Sequence, residues 1–130
     1  MNFEKLSESE EAIGRTIVRA AYQVHKEFGP GLLEKVYETC MVYELKEAGL
    51  SVEQQVTFPI TYKGIRFEEG LRLDLLVEKK VIVEIKSVEE MNPVWKAQVL
   101  SQLRLAGLRL GYLINFNEVT AKSGMKRIIL

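Results

Sequence analysis

Histidine and cysteine each occur only once in the 130 residues, as His25 and Cys40. A disulfide within the chain is therefore excluded, as is a zinc site built from several His and Cys ligands. Neither sign of charge is in excess: 18 basic residues balance 18 acidic ones. Composition thus gives no support to the strong, salt-sensitive nucleic-acid binding of a basic domain, and only local basic patches are left open. No apolar run approaches the length of a membrane span, so no membrane association is expected. The opening MNFEKLSESEEAIG lacks the basic start and apolar stretch of a secretory leader, and a cytoplasmic location is expected. Glycine-rich phosphate loops, histidine clusters and nucleophile–base pairs are missing too, which counts against enzyme chemistries that need them.

What is present suits one α/β domain spanning residues 1–130. Apolar residues make up 47% and charged residues 28%, ordinary for a globular chain long enough to bury a core. The most informative stretch is LRLDLLVEKKVIVEIKS, residues 71–87. Two β-branched, apolar runs flank Glu78-Lys79-Lys80, which predicts a hairpin with a three-residue loop. Pairing Val77 with Val81 sets Leu76 opposite Ile82, Asp74 opposite Glu84 and Arg72 opposite Lys86. Leu71, Leu73, Leu75, Val77, Val81, Val83 and Ile85 then share a core-facing side. Arg72, Asp74, Glu84 and Lys86 share the other. Two carboxylates facing each other across a strand pair repel. A hard divalent cation such as magnesium between them relieves that repulsion. Spacing alone is equally satisfied by the wet side of an amphipathic hairpin, its acids neutralised by Arg72 and Lys86.

Around this hairpin the chain alternates between helical and extended patterns. Ser7 and Glu10 have capping-box spacing, and Ile13, Ile17, Ala20, Ala21, Val24 and Phe28 form the stripe of a first helix ending at Gly29. A second stripe runs through Leu33, Val36, Tyr37, Cys40, Met41, Leu45 and Ala48 to Gly49. Cys40 is read as a core thiol, His25 as a partly buried, hydrogen-bonded structural residue, and Glu34 by default as a solvated first-turn acid favoured by the helix dipole. Residues 51–62 alternate as a strand, with Pro59 suggesting a sheet edge and Lys63-Gly64 a turn. Ile65 to Phe67 extends this pair before Glu68-Glu69-Gly70 turns into the hairpin. Asn92-Pro93 opens a helix to about Leu105, closed by Gly107. Its buried stripe is Val99, Leu100, Leu103 and Ala106, with Val94, Gln98 and Gln102 along the flank and Trp95 anchoring the first turn. Strands are expected over 108–116 and 125–130.

This order resembles the α-β-β-β-α-β core of restriction-endonuclease-like domains, a mixed sheet flanked by helices, with an extra N-terminal helix. Asp74 followed by Glu84-Ile85-Lys86 resembles the motif of the PD-(D/E)XK nuclease superfamily, and Gln98 in the next helix resembles its RecB-like branch. Gly31-Leu32-Leu33-Glu34-Lys35-Val36-Tyr37 is similar to the signature of the GxxExxY protein family, small stand-alone domains of that superfamily. The likeness implies metal-dependent hydrolysis of nucleic acid, DNA or RNA, with Mg2+ or Mn2+ held by Asp74, Glu84, the Ile85 carbonyl and Glu34. It implies catalytic roles for Lys86, Gln98 and Glu34, and substrate contacts at Arg72, Gln102 and Tyr37. Leu73 stands where the superfamily name has proline, and Gln102 where relatives often carry tyrosine. Arg72 either contacts phosphate or pairs with Glu84. A chain this short points to a homodimer or a protein partner completing the substrate groove. The rival reading is a binding or assembly module that keeps the nuclease fold with little or no catalysis; intact Glu34, Asp74, Glu84, Lys86 and Gln98 favour the nuclease.

Overall fold

The computed structural model describes residues 4–130; the first three residues of the polar opening segment lie outside them. Helix α1 (Glu8–Phe28) starts where the sequence provides both halves of a cap. The Ser7 hydroxyl accepts the Glu10 N–H at 3.0 Å, and the Glu10 carboxylate accepts the Ser7 N–H at 2.7 Å. Gly29, at φ +62°, ends it. Helix α2 (Glu34–Glu47) follows, then strands β1 (Val52–Tyr62), β2 (Ile65–Val77) and β3 (Val81–Lys86), helix α3 (Val94–Ala106), and strands β4 (Leu110–Asn115) and β5 (Met125–Ile129).

The strands form one mixed sheet in sequence order. β1–β2, β2–β3 and β4–β5 pair antiparallel, whereas β3 and β4 pair parallel because α3 carries the chain back across the sheet. β1, which contains Pro59, lies at one edge, where a residue without an N–H is tolerated. The element order is the α-β-β-β-α-β core expected from the sequence, with α1 added before it and β5 after it.

Alternation along the central strands divides the core between the two faces of the sheet. Ile13, Ile17 and Val24 of α1 and Tyr37, Met41 and Leu45 of α2 pack on Leu75, Val77, Val81, Val83, Ile85, Leu110, Tyr112 and Ile114. Val99 and Leu103 of α3 pack on Leu73, Leu76, Ile82, Leu113 and Ile128. His25 is buried and its Nε2 hydrogen-bonds the Glu118 carbonyl at 2.8 Å, tying α1 to the β4–β5 loop.

Several sequence expectations need correction. Leu33 is 78% exposed, because it is the extended N-cap of α2 and so falls off the helical spiral. Phe28, in the last turn of α1, is 45% exposed, and Val36 is also exposed, while Val42 takes an inner position. β2 does not turn at Glu68-Glu69-Gly70 but runs on, absorbing these residues in a register shift between Phe58 and Ile60. Gly70 permits this: a Cβ there would sit 2.7 Å from the Ile60 side chain. Leu71 and Leu73 join the α3 side of the core, not the side that holds Leu75. The β2–β3 ladder matches expectation at Val77–Val81, Leu76–Ile82 and Leu75–Val83, then stops short of Asp74 and Glu84.

At the end of β4, Asn115 fastens the segment that follows β3. Its side chain accepts the Val88 and Asn117 N–H groups, each at 3.1 Å, and donates to the Val88 carbonyl at 2.9 Å. Its own N–H donates to the Gly124 carbonyl at 2.8 Å. A Cβ on Gly124 would run into the Asn115 carbonyl oxygen. Gly124→Ala is therefore expected to lower unfolding stability by about 1–3 kcal/mol, the usual cost of overpacking, measured by urea denaturation.

Candidate active site

The end of the β2–β3 ladder creates the site. Where the next cross-strand bond would fall, the Asp74 side chain takes over: its Oδ2 accepts the Ile85 N–H at 3.0 Å. The Asp74 N–H in turn donates to Glu84 Oε2 at 3.2 Å. Each acid thus binds the backbone of the opposite strand, and both carboxyls face one cavity of about 160 Å³, lined by Arg72, Asp74, Glu84, Lys86, Trp95, Gln98, Val99, Gln102 and Leu113. That volume admits an ion and a few waters.

Glu84 is 8% exposed. Burial foremost, then the hydrogen bond and negative charge of Asp74, push its pKa up to about 9, against donors from the Gln102 side chain and the Asp74 backbone. Burial and the adjacent Asp74 thus favour the protonated form of this carboxyl. A divalent cation fits this donor set: two adjacent carboxyl groups, one with its pKa raised by burial, in a polar cavity with room for retained waters. Among the described residues no group of three or more His, Cys, Asp or Glu side chains is gathered to hold a metal ion. The donor set is a carboxylate pair and not a closed cage of the zinc type.

Lys86 ends β3 with its Nζ 4.6 Å from the centre of the Trp95 ring, a cation–π contact across the cavity. Arg72 does not pair with Glu84; its Nη1 donates to Gln55 Oε1 at 2.6 Å and its side chain is exposed. Gln98 is exposed on the cavity wall. Gln102 belongs deeper than an outer substrate contact: it is buried, and its Nε2 donates to Glu84 Oε1 at 2.6 Å.

Glu34 does not line the cavity but lies in electrostatic reach of it. Partial burial raises its pKa, Lys86 lowers it, Asp74 and Glu38 raise it, and Arg72 lowers it. Tyr37, expected at the substrate, is instead fully buried and stacked on Phe116 with ring centres 4.6 Å apart. Its hydroxyl donates to the Gly29 carbonyl at 2.6 Å and accepts the Leu32 N–H at 3.1 Å. Ser87 donates to the Leu32 carbonyl at 2.6 Å. Together with Gly31 at φ +102°, these bonds fix the turn before Glu34 against the end of β3. The GxxExxY spacing thus acquires a local reason: a left-handed glycine, an acid at the helix start and a tyrosine that ties the turn.

Trp95, Val99 and Leu113 line the cavity but were not expected at the site, and of these Trp95 meets the Lys86 ammonium. The available signal was helical: residues 95, 98, 99 and 102 follow the i, i+3, i+4, i+7 face, whereas Val94 is exposed.

The chain matches the family model of the PD-(D/E)XK nuclease superfamily over residues 11–128. It belongs to that superfamily. No curated protein and no solved structure matches it significantly. Its sheet and flanking helices are accordingly the restriction-endonuclease-like α/β topology, with an extra N-terminal helix. Among the described residues of this PD-(D/E)XK chain no helix is long and apolar enough to cross a membrane.

Glu84 gives the metal-free PD-(D/E)XK protein a pH signature. Its folded pKa lies above the ordinary carboxyl value of 4.5, so its contribution to stability is fully present below that value. It is lost progressively as pH rises toward about 9, because the unfolded state releases the proton first. Glu84→Gln, which cannot ionise, is expected to remove most of the decline in that window, leaving the smaller part that the raised pKa of Glu34 contributes. Urea-denaturation midpoints across pH, without divalent ions, measure it.

Proposed function

We propose that the protein is a metal-dependent nuclease that hydrolyses phosphodiester bonds of nucleic acid. The observation that carries this reading is the pairing of Asp74 with a buried Glu84 in a cavity that also holds Lys86, Gln98 and Arg72. A surface hairpin face would leave its acids in water and would have no reason to bury one beside another. Superfamily membership supports the same chemistry.

Asp74 and Glu84 would hold a magnesium or manganese ion, with the Ile85 carbonyl as third donor. The carbonyl is a reasonable donor because the Ile85 N–H already points toward Asp74, and in an extended strand both backbone groups of a residue point to the same edge. When bound, such an ion supplies Lewis-acid stabilisation of charge on the phosphate. Glu34 adds a further negative group near the ion. Lys86 brings a compact ammonium to the cavity, where it orients the attacking water and offsets charge as the phosphate becomes pentacovalent. Trp95 holds that ammonium over its ring when no substrate is present. Gln98 hydrogen-bonds at the cavity wall, and Arg72, exposed beside it, contacts a flanking phosphate. Hydrolysis forms a bond from water oxygen to phosphorus and breaks the bond to the leaving sugar oxygen.

Calorimetric titration with Mn2+ and Mg2+ tests the ion site. Wild type is expected to bind saturably, and Asp74→Ala and Glu84→Ala to abolish binding while still folding. Lys86→Ala is expected to keep ion binding and lose at least about 100-fold in the rate of metal-dependent cleavage of DNA or RNA, a typical cost of removing a group that stabilises transition-state charge. A folded wild type that binds no ion, or cleavage that persists in chelator, would contradict the reading. Ion-free nucleic-acid binding without cleavage would favour a nuclease-fold binding or assembly module instead.

A further inference from the structure

Glu84 is the first β3 residue for which no paired β2 residue sets its position, since the ladder ends at Leu75–Val83. Two other donors hold its carboxylate: the Asp74 N–H on Oε2 at 3.2 Å and Gln102 Nε2 on Oε1 at 2.6 Å. The same Gln102 nitrogen also donates to the Arg72 carbonyl at 3.3 Å. A backbone carbonyl only accepts, so exchanging the ends of the amide would set Gln102 Oε1 against it and lose the donor to Glu84. Arg72 and Asp74 of β2 thus engage Glu84 together, one directly through its N–H and the other by fixing the amide of an α3 residue.

From this geometry we infer that Gln102 is a positioning residue for the divalent ion, holding the Glu84 carboxylate turned into the cavity. The inference rests on the nuclease reading and deepens it. The remaining atom of the amide supports a functional origin: Gln102 Oε1 is buried with no hydrogen-bond partner. An unsatisfied buried acceptor is costly, and an apolar side chain of similar length would fill the space without that cost. Packing alone does not account for glutamine at this position, whereas a donor aimed at Glu84 does. Residues that orient a metal ligand in this way typically contribute 10–100-fold to ion affinity.

The test uses the ion alone, so that it does not depend on finding the substrate. Trp95, the sole tryptophan of the chain, lines the cavity and reports binding by fluorescence, with calorimetry as the second readout. Wild type, Gln102→Met, Gln102→Asn and Asp74→Ala are titrated with Mn2+, and each is melted thermally in parallel. Gln102→Met removes the donor and keeps the length, while Gln102→Asn keeps an amide one methylene too short to reach; if one variant does not fold, the other decides. Expected are saturable binding to wild type, affinity about 10–100-fold weaker in the Gln102 variants, and none in Asp74→Ala. Gln102 variants that bind Mn2+ as tightly as wild type, whatever their melting temperature, would assign Gln102 a structural role and overturn this inference alone. A folded wild type that binds no Mn2+ would overturn the nuclease reading and this inference with it.

Discussion

The bond from the Ile85 N–H to Asp74 Oδ2 is the constraint on which the site depends. It falls where β2 and β3 cease to pair, and it lets the strands part without leaving the buried N–H of β3 unsatisfied. Parting them opens the cavity. Replacing a ladder bond with a carboxylate also commits Asp74 to the cavity, beside a Glu84 that parallel pairing with β4 holds opposite Leu113. Sheet geometry therefore forces together two acids that would separate in solution. The raised pKa of Glu84 is the electrostatic consequence.

Much of this was legible in the sequence wherever the determinants are local. The Ser7–Glu10 cap, the Gly29 and Gly107 helix ends, the three-residue loop after Val77 and the first rungs of the β2–β3 ladder all depend on residues within a few positions of one another. The departures lie where tertiary geometry overrides pattern. Strict alternation continues the ladder to Asp74 and Glu84, because period two contains no information about where strands diverge. It likewise assigns Leu73 to the side of Leu75, whereas packing against α3 takes it to the other. Glu68-Glu69-Gly70 reads as a turn from composition, but the space left by a missing Cβ beside Ile60 lets β2 absorb it as an irregularity.

The site residues divide in the same way. Asp74, Glu84, Lys86, Gln98 and Gln102 come to one cavity because strand and helix periodicity already aligned them. Tyr37 shares the signature with Glu34, yet it secures the turn before α2 instead of meeting the cavity. Its spacing from Glu34 records a folding requirement, which sequence alone does not separate from a binding one. With a net charge of zero, the positive groups at the cavity, Arg72 and Lys86, act locally and not as part of an overall positive field.

A cation entering beside Asp74 and the buried Glu84 would have to displace the Glu84 proton. Isothermal calorimetry of Mn2+ binding at pH 7, repeated in buffers of different ionisation enthalpy, counts the protons released for each ion bound. With the Glu84 pKa near 9 in the metal-free protein, release of about one proton is predicted. Binding with no proton release would show Glu84 already ionised without the ion, so that no proton is displaced when the cation enters.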